Sequence, residues 1–219
     1  MASAKVRVEP GQHLEPHLTS GATVVLGKGV HTGCLVIDQS VTITGEEGAV
    51  LDAERGGPVI SVAEDGLQIA ISGVTLRGGA GEAGGGLRNA GRSEITLTNC
   101  SFEDNEATLA GSGVGGGVWS GRGKVSLIDC GFSGNRARSG NDVYVTNVAW
   151  LVVSGGSFGG DVYVGEGARF DATATRIHGR LSARGTTTRA PAICLRGTQV
   201  DGGIENDPNL PASFVVEDG

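Results

Sequence analysis

Apolar and polar residues alternate in short runs along this chain, and the runs repeat. Each run ends at a residue placed to take a left-handed bend: Gly45, Gly73, Asn99, Asp129, Gly155, Ala174 and Gly197. Glycine, asparagine and aspartate reach positive φ at least cost, and Ala174 alone departs from that rule. Two residues before the bend stand Ile43, Ile71, Leu97, Leu127, Val153, Ala172 and Leu195. Four before it stand Val41, Ile69, Ile95, Val125, Leu151, Phe170 and Ile193. Three after it stand Leu76, Phe102, Phe132, Phe158, Ile177 and Val200, with the first turn, near Val50, irregular. Positions between them are mostly Thr, Ser, Gln and Asp. Period-two alternation predicts strands with one buried face, and copies in fixed columns predict stacked rungs.

A third strand follows each bend, with Ile60, Leu87, Val118, Val143, Val162, Leu181 and Ile204 facing inward. Bends are spaced 28, 26, 30, 26, 19 and 23 residues apart, and the unevenness has one source. From the apolar residue after the bend to the third strand is 11, 16 and 11 residues for Leu76, Phe102 and Phe132, then 4 for Phe158, Ile177 and Val200. Rungs in the middle therefore carry long Gly-rich loops at that one turn (residues 77–85, 103–116 and 133–141), and insertions at one turn mark one side of a solenoid, often its binding side. The predicted fold is all-β, a single right-handed parallel β-helix of about seven rungs. Residues 1–40 are expected to form an N-terminal cap and a first partial rung, 41–205 the regular rungs and 206–219 a closing segment, all in one domain of 1–219.

Composition narrows the function classes. Forty glycines without a collagen period exclude a triple helix. A formal net charge of −7 speaks against nucleic acid as partner, and no apolar run is long enough to span a bilayer. The start lacks the apolar core of a secretory signal, which points to the cytoplasm, although a processed chain reads the same way. Cys34, Cys100, Cys130 and Cys194 form no C-x-x-C pair. Cys100 and Cys130 share a column and are expected as buried free thiols. The glycine-rich loops lack the phosphate-binding G-x-x-x-x-G-K-[S/T] pattern. In His13-Leu-Glu-Pro-His17, Pro16 breaks the helix that would align two imidazoles on a metal.

The opening run, Ala22-Thr-Val-Val-Leu-Gly-Lys-Gly-Val-His31 followed by Leu35-Val-Ile-Asp-Gln-Ser-Val-Thr-Ile-Thr-Gly45, resembles the first rungs of the pectate-lyase-like superfamily of right-handed parallel β-helices. The middle is similar to the passenger repeats of chlamydial polymorphic outer-membrane proteins, which carry F-x-x-N and G-G-[A/L/V/I] motifs. Matches here are Phe102 to Asn105, Phe132 to Asn135, Gly85-Gly86-Leu87 and Gly116-Gly117-Val118. Superfamily enzymes are lyases and hydrolases of acidic polysaccharides, but the fold hosts many functions, so function has to be argued from a site. No catalytic motif of theirs matches this chain.

Candidate chemistry lies on the outward face of the third strand. The column there reads Ser61, Arg88, Trp119, Tyr144, Tyr163, Ser182 and Glu205. Trp119, Tyr144 and Tyr163, beside Arg88, are read as an exposed aromatic stripe able to hold a sugar ring or a protein surface. The same rings could instead stabilise the sheet as a ladder, with Asp161 and Arg180 as a surface ion pair. One position earlier stand Asp142, Asp161 and Arg180. Two carboxylates on adjacent rungs approach the ~5 Å used by retaining glycosidases, which makes these three the candidate catalytic set. Asp142 and Asp161 are also a weak candidate Ca²⁺ pair; no other cofactor is expected. The favoured expectation is a non-enzymatic module binding a polysaccharide or protein. A small polysaccharide lyase or hydrolase, and a structural module that self-assembles into oligomers, are the alternatives.

Overall fold

The computed structural model describes residues 5–108, 113–186, 188–206 and 213–217. It is a parallel β-solenoid of three sheets, one of ten strands and two of eight. Every pairing between its named strands is parallel, and each strand pairs with its counterpart in the neighbouring rung, as in Glu94–Thr98 on Lys124–Ile128. The two eight-stranded sheets give eight complete rungs, one more than expected, because the first is not partial: Thr23–Leu26, Gly29–Thr32 and Leu35–Val36 make a full turn.

The apolar columns fall where the alternation places them. Ile43, Ile71, Leu97, Leu127, Val153, Ala172 and Leu195 are at most 3 % exposed. Phe102 and Phe132 stack at 4.5 Å between ring centroids and 4° between planes, and Phe132 and Phe158 at 4.6 Å. Leu51, not Val50, precedes Leu76 in this row, and buried His31 precedes Leu51. Cys100 and Cys130 are buried free thiols, with Sγ atoms aimed at the carbonyls of Thr98 and Ile128. The neighbouring Cys100 thiol, together with burial, pushes the Cys130 thiol well up.

Six of the seven bends take positive φ, including Asn99 and Asp129 at 51° and Ala174 at 50°. Gly45 is the exception: it ends the strand Val41–Gly45, and a Cβ there would lie 2.4 Å from the Gly73 carbonyl oxygen. Close backbone approach, not a left-handed bend, requires that glycine. Ala174 is the reverse case, an L side chain held in the left-handed region and exposed to solvent. Ala174→Gly is expected to raise stability by about 1 kcal/mol, the strain relieved less the entropy added to the unfolded chain. A denaturant midpoint equal to or below that of the parent counts against strain at this bend.

Both ends differ from the middle. Lys5–Val8 pairs with Thr23–Leu26, and the 3₁₀ turn Glu15–His17 carries Leu14 and Leu18, at 5 % and 6 % exposure, onto the core. At the other end Ser213–Glu217 adds a strand beside Ala192–Arg196. Ile204 and Val216 stay 46 % and 61 % exposed. The rest of the expected closing segment, 207–212 and 218–219, lies outside the described residues. Among the described residues no helix is long and apolar enough to cross a membrane.

Candidate functional site

The long loops stack on one another, as their confinement to one turn requires. Glu106–Ala107 pairs with Arg136–Ala137, and bridges join Ala80 to Glu106 and Val114 to Ser139. The two F-x-x-N motifs supply the glue. Asn105 Oδ1 accepts from the Gly79 N–H, while Asn135 Oδ1 accepts from the Asn105 N–H and Nδ2. Asn135 Nδ2 donates to the Phe102 carbonyl and, at 3.0 Å, to Asp142 Oδ1. The G-G motifs have a steric cause: a Cβ at Gly117 would meet the Asp142 carbonyl at 2.6 Å and the Phe132 ring at 2.9 Å.

This ladder overturns one placement. Asp142 does not stand on the outward face with Asp161; it is 1 % exposed and ends the asparagine ladder, its other oxygen accepting from the Gly160 N–H. A long loop brings its last residue back beneath its own start, so the Asp142 side chain turns in toward Asn135. Burial holds its pKa above the usual carboxylate range, against the pull of the Asn135 hydrogen bond. Asp161 and Arg180 end three-residue turns and remain at the surface. They do not form the expected side-chain ion pair. Asp161 Oδ1 accepts from the Arg180 backbone N–H, and the Arg180 guanidinium reaches Glu205 at 3.0 Å. The catalytic set is thus split, and Asp142, with both oxygens engaged by donors, is not placed to share a Ca²⁺ ion with Asp161.

The outward aromatic column is in register as expected, Arg88 beside Trp119, Trp119 beside Tyr144 and Tyr144 beside Tyr163. The rings do not form one continuous stripe. Trp119 lies back along its own strand over Gly121, where a Cβ would sit 2.7 Å from the indole, and carries Arg88 at 5.6 Å. Tyr144 and Tyr163 stack face to face, 4.4 Å apart and 3° from parallel. Each covers one face of the other and leaves one outer face, and the outer side of Tyr163 borders Ser182 in the next rung. Partial burial and the neighbouring Tyr144 push the Tyr163 phenol up to about 12.

That outer side looks onto a step. Long loops end with the rung of Tyr144; the next rungs turn in three residues. Gly140, the end of the last long loop, abuts Tyr163: a Cβ there would be 3.2 Å from Tyr163 Cβ. Beyond Tyr163 the column continues with the small Ser182 and then Glu205. The result is a cleft of about 210 Å³ lined by Tyr163 and Ser182 and by Arg138, Asp161, Arg180, Arg184 and Glu205. Glu205 is held by Arg180 and, at 2.7 Å, by Arg184. Arg138 is exposed, and among the described residues no carboxylate pairs with it.

A larger depression, about 390 Å³, lies on the ten-stranded sheet beside Trp150, Val148, Lys124 and Arg92. The reading of the sequence missed it because Trp150 is on a different strand from the aromatic column. Its indole is clamped, with Lys124 and Arg169 each 4.8 Å from the ring and Nε1 donating to Asp171 at 2.8 Å. Lys124 and Arg169 belong to the strands on either side of Trp150, so cations occupy both ring faces. The smaller cleft, with an aromatic face open to it, is the better candidate site. Among the described residues, no three His, Cys, Asp or Glu side chains gather as a metal centre. Compared with known proteins, the chain matches no family model, no curated protein and no solved structure.

Proposed function

We propose that this solenoid is a non-enzymatic binding module for a polysaccharide, with Tyr163 and the charged rim of its cleft as the site. One observation carries the reading: a stacked tyrosine pair ends in an open ring face above Ser182, ringed by Arg138, Arg180, Arg184, Asp161 and Glu205. A flat apolar face bordered by hydrogen-bonding groups suits a sugar, whose ring has apolar C–H faces and a polar perimeter. The likeness of the opening rungs to pectate-lyase-like β-helices, whose enzymes act on acidic polysaccharides, is what favours a glycan over other ligands. An enzymatic reading has less support than the bare sequence suggested, since Asp142 is sealed beneath its loop with both oxygens engaged by donors.

The test is a glycan array followed by titration of the best acidic and neutral polymers, with a reducing-end assay in parallel. Stacking on an aromatic side chain is worth about 1–3 kcal/mol in nucleic-acid complexes. Tyr144→Ala/Tyr163→Ala is therefore expected to weaken binding about tenfold or more, with no new reducing ends released by either protein. Both rings lie outside the core, so the melting temperature stays close to that of the parent. Unchanged binding in the double variant removes the site; reducing ends released by the parent replace the reading with a hydrolase or lyase.

A further inference from the structure

We infer that the cleft takes the terminal residue of a glycan chain and excludes residues in its middle. The inference rests on the binding reading above and adds to it the part of the polymer recognised. Side chains flank the space above Ser182 on four sides, over a floor of strand backbone. Tyr163 stands on the side of the preceding rung, with the loop residues Arg138–Gly140 as a wall beside it. Glu205, fixed by its two arginines, stands on the side of the following rung. Asp161 and Arg180 close the side of the tight turns, and Arg184 the opposite side. The strand backbone at Ser182 is the floor. One mouth remains, facing solvent.

A residue within a polymer has two glycosidic bonds leaving it in roughly opposite directions, so it needs two exits. A terminal residue needs one. The void of about 210 Å³ has room for about one sugar ring, below the ~300 Å³ at which ordinary ligand pockets begin. The inserted ring would continue the ladder of Tyr144 and Tyr163 where the chain itself supplies only a serine. Arg138, without a carboxylate partner among the described residues, is left to donate to the hydroxyl or carboxylate groups at the end of the chain.

The experiment counts protein molecules bound per glycan chain. Size-fractionated polygalacturonate, amylose and dextran serve as probes, each as a short and a long fraction, in isothermal titration against the parent, Ser182→Tyr and Ser61→Tyr. The expected result is one protein per chain whatever the chain length. Ser182→Tyr fills the slot with a third ring, and a loss of binding of about tenfold or more is expected. Ser61→Tyr puts the same ring in the same outward column, five rungs away, and is expected to bind as the parent does. Ser182→Tyr lies outside the core, and a melting curve for each variant confirms that it folds. Stoichiometry that grows with chain length, or full binding by Ser182→Tyr, overturns chain-end recognition. If the tyrosine pair is still required in that case, the binding module itself stands. No binding of any probe by the parent removes both.

Discussion

Phe132→Ala is expected to lower the unfolding free energy by about 3–5 kcal/mol, the usual cost of truncating a well-packed core aromatic. Phe132 is the middle ring of three, 4.5 Å from Phe102 and 4.6 Å from Phe158, and 5 % exposed. Rungs of a solenoid touch only their neighbours, so its stability is close to a sum of rung and interface contributions. A hole at Phe132 weakens the interfaces on both its sides. It also removes the ring that fills the space under Gly117, where no side chain can enter from above. Phe132→Leu, which keeps most of the volume, should cost a fraction as much. Denaturant unfolding followed by fluorescence and by far-ultraviolet circular dichroism measures both variants. An alanine variant within 1 kcal/mol of the parent would mean that the ring row is not the spine of the core.

The columns were legible because each rung must bury the same positions at the same spacing, so Ile71, Leu97 and Leu127 announce one another. The side carrying the candidate site stood out for a related reason: the loops lengthen at one turn only. Two parts of the site were not legible. Column position gives the separation of side chains but not their rotamers. Tyr144 and Tyr163 could as well have lain flat against the sheet as stacked, and Gly121, two residues beyond Trp119, was the one signal that the indole would fold along its own strand. Asp142 was misplaced because its strand neighbours alternate in and out, while it belongs to the loop before them. Asn105 and Asn135, one above the other, held the clue that a buried acceptor must end their ladder.

That buried end gives the second large effect. Asn135→Ala is expected to cost about 2–3 kcal/mol at neutral pH, as removing a hydrogen-bond donor from a buried charged group does. Asn135 donates to Asp142 Oδ1 and to the Phe102 carbonyl, and accepts two hydrogen bonds from Asn105. Removing it leaves a carboxylate that is 1 % exposed with the Gly160 N–H as its remaining close donor. The pH dependence separates this cause from simple loss of packing. The folded-state pKa of Asp142 lies above its ordinary 3.8, so its contribution to stability is fully present below that value and is lost as the pH rises through the raised one. Taking away the Asn135 hydrogen bond, which pulls the pKa down, raises it further and enlarges the loss. The difference between parent and Asn135→Ala should therefore widen from pH 4 toward pH 7 by about 1 kcal/mol or more. Ion pairs common to both proteins, such as Arg77 with Asp52, cancel in that difference. In an Asp142→Ala background, where no carboxylate can be stranded, the widening should vanish. A gap that is constant with pH, or one that persists without Asp142, would place the cost of losing Asn135 in the loop backbone and not in the buried charge.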